Sequence, residues 1–215
     1  HASGFEPPQL IYQGRDDRPL KEAWAALFQS LLPEVQRLPS PRKRPHIGFV
    51  VTRHHESAFL KGMAGIVNQL SVDRFDLTVV CSEEGGEARL RIGIRHPDVR
   101  YLPLPDRLDH SVERLREARF AVLYDWEVGT DSINYFLPFF RLAPVQCTGW
   151  GWPVTSGIPQ IDYYLSSESL ETAGSDAHYS ERLVRFQRLP TCYQRPELPE
   201  TPLGRERLGL ATGQH

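Results

Sequence analysis

The stretch Thr52-Arg53-His54-His55-Glu56-Ser57 puts two imidazoles and a carboxylate into one short polar loop, and three kinds of chemistry could use them. A metal needs ligands that converge. Adjacent side chains in an extended turn diverge, and the HExxH spacing that sets two histidines on one helix face is absent, so no metal site is expected. An anion is the second possibility, because the loop leads into a helix predicted from about Ser57, whose unpaired amides and dipole favour negative charge. There His55 is a candidate for donating to a phosphate or orienting a hydroxyl. The third possibility is proton transfer, since imidazole titrates near neutrality. The plain alternative is a surface histidine with no role.

Two later loops carry other chemistry. Asp125-Trp126-Glu127-Val128-Gly129-Thr130-Asp131 offers carboxylates as base or hydrogen-bond acceptor, although Asp131 also suits the cap of a following helix. Gly149-Trp150-Gly151-Trp152-Pro153-Val154-Thr155-Ser156-Gly157 combines glycines that let backbone approach closely with indole faces suited to a sugar or a base. Neither GxGxxG nor GxxxxGK[ST] occurs, so the usual dinucleotide and phosphate cradles are missing.

The surrounding pattern says where these loops lie. Leu20, Trp24, Leu27, Phe28, Leu31, Leu32, Val35 and Leu38 form the stripe of an amphipathic accessory helix, which Pro33 should kink. The apolar run His46 to Val51 then reads as a strand buried on both faces. Further strands are predicted at Phe75–Cys81, Val99–Leu102, Phe120–Tyr124, Val145–Thr148, Ile161–Leu165 and Leu183–Phe186. Helices are expected at Phe59–Leu70, around Leu90, from Ser111, and over Ile133–Phe140. Alternation of this kind implies an α/β, Rossmann-like parallel sheet with helices on both faces. Ligands of such sheets bind at the carboxyl ends of the strands, where all three loops fall.

Composition narrows the function classes. The 215 residues carry 25 Lys+Arg against 27 Asp+Glu. Binding that drew on phosphate neutralisation would need a basic excess, and the only dense cluster is Arg42-Lys43-Arg44, so a nucleic-acid partner is not expected. No apolar run approaches the ~18 residues of a membrane span. Three scattered cysteines, Cys81, Cys147 and Cys192, suggest reduced thiols and a cytoplasmic setting rather than a disulfide framework. The first residue is His1 rather than Met, which suggests a piece of something longer.

Several separated segments together resemble the catalytic region of the O-GlcNAc transferases. Leu142-Ala143-Pro144-Val145-Gln146 is similar to that family's RPAPVQ, and Gly151-Trp152-Pro153-Val154-Thr155-Ser156-Gly157 to its GYPGTSG. Ile161-Asp162-Tyr163-Tyr164 follows, then Tyr179-Ser180-Glu181-Arg182-Leu183 in place of a YSEK segment, then Leu189-Pro190. Upstream, His46 to Val51 with His55 is similar to the family's RIGYVS strand and NHP-type loop. Three departures stand out. Trp152 replaces a Tyr, Val154 replaces a Gly, and Glu127-Val128-Gly129-Thr130 stands where the family has D-G-Y-T.

The resemblance implies one half of a two-domain GT-B glycosyltransferase that transfers N-acetylglucosamine from UDP-GlcNAc to Ser or Thr hydroxyls of proteins, with inversion. It implies a UDP-sugar and a protein or peptide acceptor as partners, no metal or other cofactor, and tetratricopeptide helices upstream. His55 would be the catalytic residue; Trp150, Gly151, Pro153, Thr155, Gly129 and Thr130 would bind substrate. Expected organisation is a helical segment and linker over 1–45, the Rossmann-like N-terminal GT-B domain over 46–203, and over 204–215 the start of a connection to a C-terminal domain absent from this chain. A related transferase with another donor sugar or an Asn acceptor, and a non-catalytic sugar-nucleotide or protein-binding module, remain open alternatives.

Overall fold

A computed structural model describes residues 13–32, 44–193, 204, 207 and 209. Within it the apolar runs become seven strands: β1 (His46–Val50), β2 (Asp76–Ser82), β3 (Arg100–Leu104), β4 (Val122–Asp125), β5 (Val145–Gly149), β6 (Tyr163–Ser167) and β7 (Arg182–Phe186). All neighbouring pairs are parallel, in the order β3-β2-β1-β4-β5-β6-β7. Parallel ladders need a connection that returns the chain each time to the same end of the sheet, and here α2 (Glu56–Gln69), α3 (Gly86–Leu90), α4 (Leu108–Ala118) and α5 (Ser132–Phe136) provide it. A 3₁₀ turn over Leu137–Phe140 continues α5.

Helices cover both faces, and that is why the strands read as unbroken apolar runs rather than as alternation. Phe49 and Val51 pack with Phe59, Met63 and Val67 of α2 and with Leu77 and Val79 of β2. Their neighbour Val50 points the other way, into a second cluster with Val80, Leu123, and Val112 and Leu115 of α4. The expected Rossmann-like architecture is therefore present. Strand boundaries differ from expectation by a residue or two. After β5 the crossover helices stop: β5 reaches β6 through the Trp/Gly loop, and β6 reaches β7 through a 3₁₀ turn at Ser175–His178.

The accessory helix is α1 (Arg18–Gln29). Pro19 sits in its first turn, where no amide bond is lost. The helix buries Ala25 with Trp24 and Phe28 against Val128, Tyr135, Phe139, Ile158 and Ile161, so it is docked on the α5 side of the sheet. Pro33, Val35 and Leu38 of its sequence stripe lie outside the described residues, as do Arg42 and Lys43. Arg44 donates to the Val72 carbonyl at 2.8 Å and pairs with Asp76. Residues 1–12 of the expected N-terminal segment and most of 204–215 also lie outside the described residues. Among the described residues no helix is long and apolar enough to cross a membrane, and Cys81, Cys147 and Cys192 are free thiols.

Candidate active site

Winding from β1 through β2 to β3 proceeds in one direction, and β4 then starts on the opposite side of β1. The reversal leaves a crevice beyond the carboxyl ends of β1 and β4, the position where open α/β sheets take their ligands. A cleft of about 600 Å³ lies there. The loop after β1 lines it with Thr52, Arg53, His54 and His55; the loops after β3 and β4 add Asp106, Thr130, Asp131 and Ser132.

Local backbone sets the imidazoles. His54 adopts a left-handed conformation (φ 74°), and the amide of His55 donates to the Thr52 carbonyl at 3.3 Å, closing a turn. His55 then occupies the N-cap of α2, yet its ring caps nothing. Instead it turns across the crevice to the loop after β4. There Nδ1 lies 2.5 Å from Oε2 of Glu127, and Nε2 lies 3.2 Å from the Thr130 hydroxyl. Burial on its own would lower the affinity of His55 for a proton. The hydrogen bond and charge of Glu127, with the charges of Asp131 and Glu56, outweigh it, and the net direction is upward.

A buried polar network supports this contact. Thr130 donates to Glu127 Oε2 at 3.0 Å, Thr52 donates to Asp131 Oδ2 at 2.5 Å, and Asn134 donates to Thr52, Thr130 and Asp131. Asp131 also accepts from the Asn134 amide at 2.9 Å, forming a capping box at the start of α5. On the other wall Arg53 pairs with Glu84 at 2.7 Å and approaches Asp106 at 3.7 Å, linking the loops after β1, β2 and β3. All three side chains are exposed, so the link shapes the cleft mouth more than it stabilises the fold.

Asp125 ends β4 in register with Val50, which lines the cleft, but does not line it itself. Burial pushes its carboxyl up to about 7, so it exchanges a proton near neutrality. The anion reading of the α2 start is altered by Glu56. This buried carboxylate, 3.2 Å from Arg89, already occupies the first turn and would repel a second anion there.

Of the residues singled out from sequence, His55, Gly129 and Thr130 come together around the crevice. Gly129 contributes backbone, its amide donating to Asn134 Oδ1 at 3.0 Å. Trp150, Gly151, Pro153 and Thr155 do not line the cleft. Gly151 lies against the loop after β4: a β-carbon on it would stand 1.8 Å from the Trp126 carbonyl oxygen. Trp150 is exposed on the loop after β5. Thr155 is buried, donating to Glu181 at 2.6 Å and meeting Ser180 at 2.8 Å. Pro153 and Thr155 border a separate depression of about 280 Å³ with Asp16, Asp17 and Tyr179. Glu127 was offered only as one of several loop carboxylates that could accept a hydrogen bond, and Asn134 was not named at all. The Asp131-x-x-Asn134 capping pattern was the one signal for Asn134; nothing local pointed Glu127 at His55. Among the described residues no cluster of three or more potential ligands could hold a metal ion.

Comparison with known proteins bears on what the cleft does. No protein-family model matches the chain. Over 79 residues it is 29% identical to a probable UDP-N-acetylglucosamine–peptide N-acetylglucosaminyltransferase, SPINDLY, of Hordeum vulgare, covering 37% of this chain and 8% of that protein. The SPINDLY protein of Petunia hybrida gives the same identity and coverage. Among solved structures, a mutant of the Thermobaculum terrenum O-GlcNAc transferase superposes with a TM-score of 0.70 at 23% identity, over 91% of this chain and 37% of that one. The fold is thus that of part of this O-GlcNAc transferase. Both comparisons return the family that the motifs resemble, and the chain spans well under half the length of each of these three proteins.

Proposed function

We propose that the chain is one half of a glycosyltransferase catalytic unit, moving N-acetylglucosamine from UDP-GlcNAc to Ser or Thr hydroxyls of proteins. The observation that carries this is His55 held at the switch-point cleft by Glu127 on one ring edge and Thr130 on the other. In the transfer, the acceptor oxygen bonds to the anomeric carbon as the bond to the diphosphate oxygen breaks from the opposite face, with inversion, and the acceptor proton passes to an oxygen of the departing diphosphate. Charge developing on the diphosphate calls for electrostatic stabilisation, which the mixed-sign cleft of this half supplies only in part. A second Rossmann-like domain facing the crevice would supply the rest and complete the nucleotide site. With Nδ1 committed to Glu127, the Nε2 edge that rests on Thr130 is the one that would turn to the substrate, and we read its role as orienting donor or acceptor.

The test is transfer from UDP-GlcNAc to an acceptor peptide by the protein that carries this chain with its second domain. His55→Ala should lower turnover by about 10²- to 10³-fold, the range for loss of one positioned hydrogen-bond donor. The circular dichroism spectrum should be unchanged. Wild-type turnover in the variant would sink the assignment. Mass spectrometry of product formed under competition between UDP-sugars tests the donor: another hexose in the product would move the protein to a related transferase, and no product with measurable UDP-sugar binding would make it a binding module.

A further inference from the structure

We propose that Asn134 is a positioning residue for His55, fixing the Thr130 hydroxyl on which the Nε2 edge of the imidazole rests. The catalytic consequence depends on the glycosyl-transfer reading above; the ring geometry does not.

Asn134 is 2% exposed and its amide orientation is determined by its partners. Oδ1 accepts from the backbone amides of Gly129 at 3.0 Å and Asp131 at 3.2 Å, so a flipped amide would set two donors against two donors. Nδ2 must therefore face Thr130 Oγ1 at 2.5 Å, Asp131 Oδ2 at 3.0 Å and Thr52 Oγ1 at 3.1 Å. One side chain thus joins the loop after β1 to the loop after β4, across the crevice.

Donor accounting then constrains the ring. Thr130 accepts from Asn134, which leaves its hydroxyl one proton and one further lone pair. When His55 is charged, Nδ1–H goes to Glu127, Nε2–H goes to the free lone pair of Thr130, and the Thr130 proton goes to Glu127 Oε2 at 3.0 Å. When the ring loses its Nε2 proton, the Thr130 hydroxyl rotates and donates to Nε2. Both protonation states keep the ring in one plane, provided Thr130 stays anchored, and Asn134 is the anchor. Other charged groups facing His55 are Asp131 from the β4 loop, 4.0 Å from Nε2, and Glu56 of its own helix. Asn134 reaches the ring only by way of Thr130.

Nuclear magnetic resonance of the chain with ¹⁵N- and ¹³C-labelled histidine tests this without an activity assay. Asn134→Ala and Thr130→Val should each lower the His55 titration midpoint by roughly 0.4–1 pH unit, the size of one neutral hydrogen bond. The double variant should shift it no further than the larger single change. A wild-type midpoint and wild-type ring nitrogen shifts in Asn134→Ala, with only a lower melting temperature, would overturn the proposal and leave Asn134 a helix cap. Should Asn134→Ala fail to fold, Thr130→Val decides, since it keeps both volume and cap: an unshifted His55 there also overturns the proposal. Failure of the glycosyl-transfer reading would appear separately, as absent turnover in a protein whose ring signals behave as described.

Discussion

Nδ1 of His55 and Oε2 of Glu127 meet at 2.5 Å across the gap between the two loops that flank the reversal of strand order. Glu127 is almost fully enclosed, so the contact works in a medium of low polarity, where a charge-assisted hydrogen bond is stronger than in water.

Glu127→Gln should therefore lower the proton affinity of His55. The folded-state value is raised above the unfolded value of about 6.5. Its contribution to stability is fully present below that pH and is lost as pH rises through the folded value. The stability gap between wild type and Glu127→Gln should thus be about 1.5–3 kcal/mol near pH 6 and distinctly smaller near pH 9. Urea unfolding at the two pH values measures it. A gap independent of pH would mean that the pair is not ionised as described.

Gly151→Ala should be costly although the residue is in a loop. Its added β-carbon would stand 1.8 Å from the Trp126 carbonyl oxygen, and backbone on both sides must move to admit it. Destabilisation of about 1–3 kcal/mol is expected, the usual range for overpacking. A wild-type urea midpoint would show that the two loops are not in contact.

This glycine illustrates what the sequence could and could not convey. The inner strands were legible because burial on both faces favours apolar residues along most of their length, a signal contained within each segment. His55 was legible as a polar residue at a strand's carboxyl end. Its partners were not, because Thr130 lies 75 residues away and the link from Asn134 to Thr52 spans 82. No local pattern encodes which carboxylate a fold will carry to which imidazole. For the Trp/Gly loop, composition announced close approach but not what is approached. Gly151 approaches the Trp126 carbonyl, and Gly157, at φ 73°, approaches the Lys21 backbone, where a β-carbon would stand 2.3 Å from the carbonyl carbon. Glycines that admit a ligand and glycines that admit a neighbouring chain look the same in sequence.

Thr155 offers a direct way to separate those uses. Its hydroxyl donates to buried Glu181, which also accepts from the Ser156 amide at 2.8 Å and from the Ser156 hydroxyl. Thr155→Val keeps the shape but leaves a buried carboxylate oxygen with one donor fewer. A loss of about 1–3 kcal/mol is expected in urea unfolding, and, on the glycosyl-transfer reading proposed above, affinity for UDP-GlcNAc in the protein that carries this chain with a second domain should be unchanged. Weakened donor binding at wild-type stability would return Thr155 to the substrate site.

Lys21 of α1 gives the docking of that helix a pH signature. The side chain is 7% exposed, and burial pulls its proton affinity down to about 8, against an opposing pull from the charge of Glu181. Below pH 8 the ammonium is charged in both folded and unfolded chains, so the cost of burying it is fully present. Above the unfolded value of about 10.5 it is neutral in both, and that cost is gone. Between these limits the contribution of Lys21 to stability should rise with pH, by about 3 kcal/mol in all. Other groups titrate in the same range, so the measurement is the difference between wild type and Lys21→Met. Wild-type stability relative to the variant should climb from pH 8 to pH 10.5 in urea unfolding. A flat difference would mean that the ammonium keeps its water in the folded chain and that α1 packs more loosely on the Gly157 loop than described.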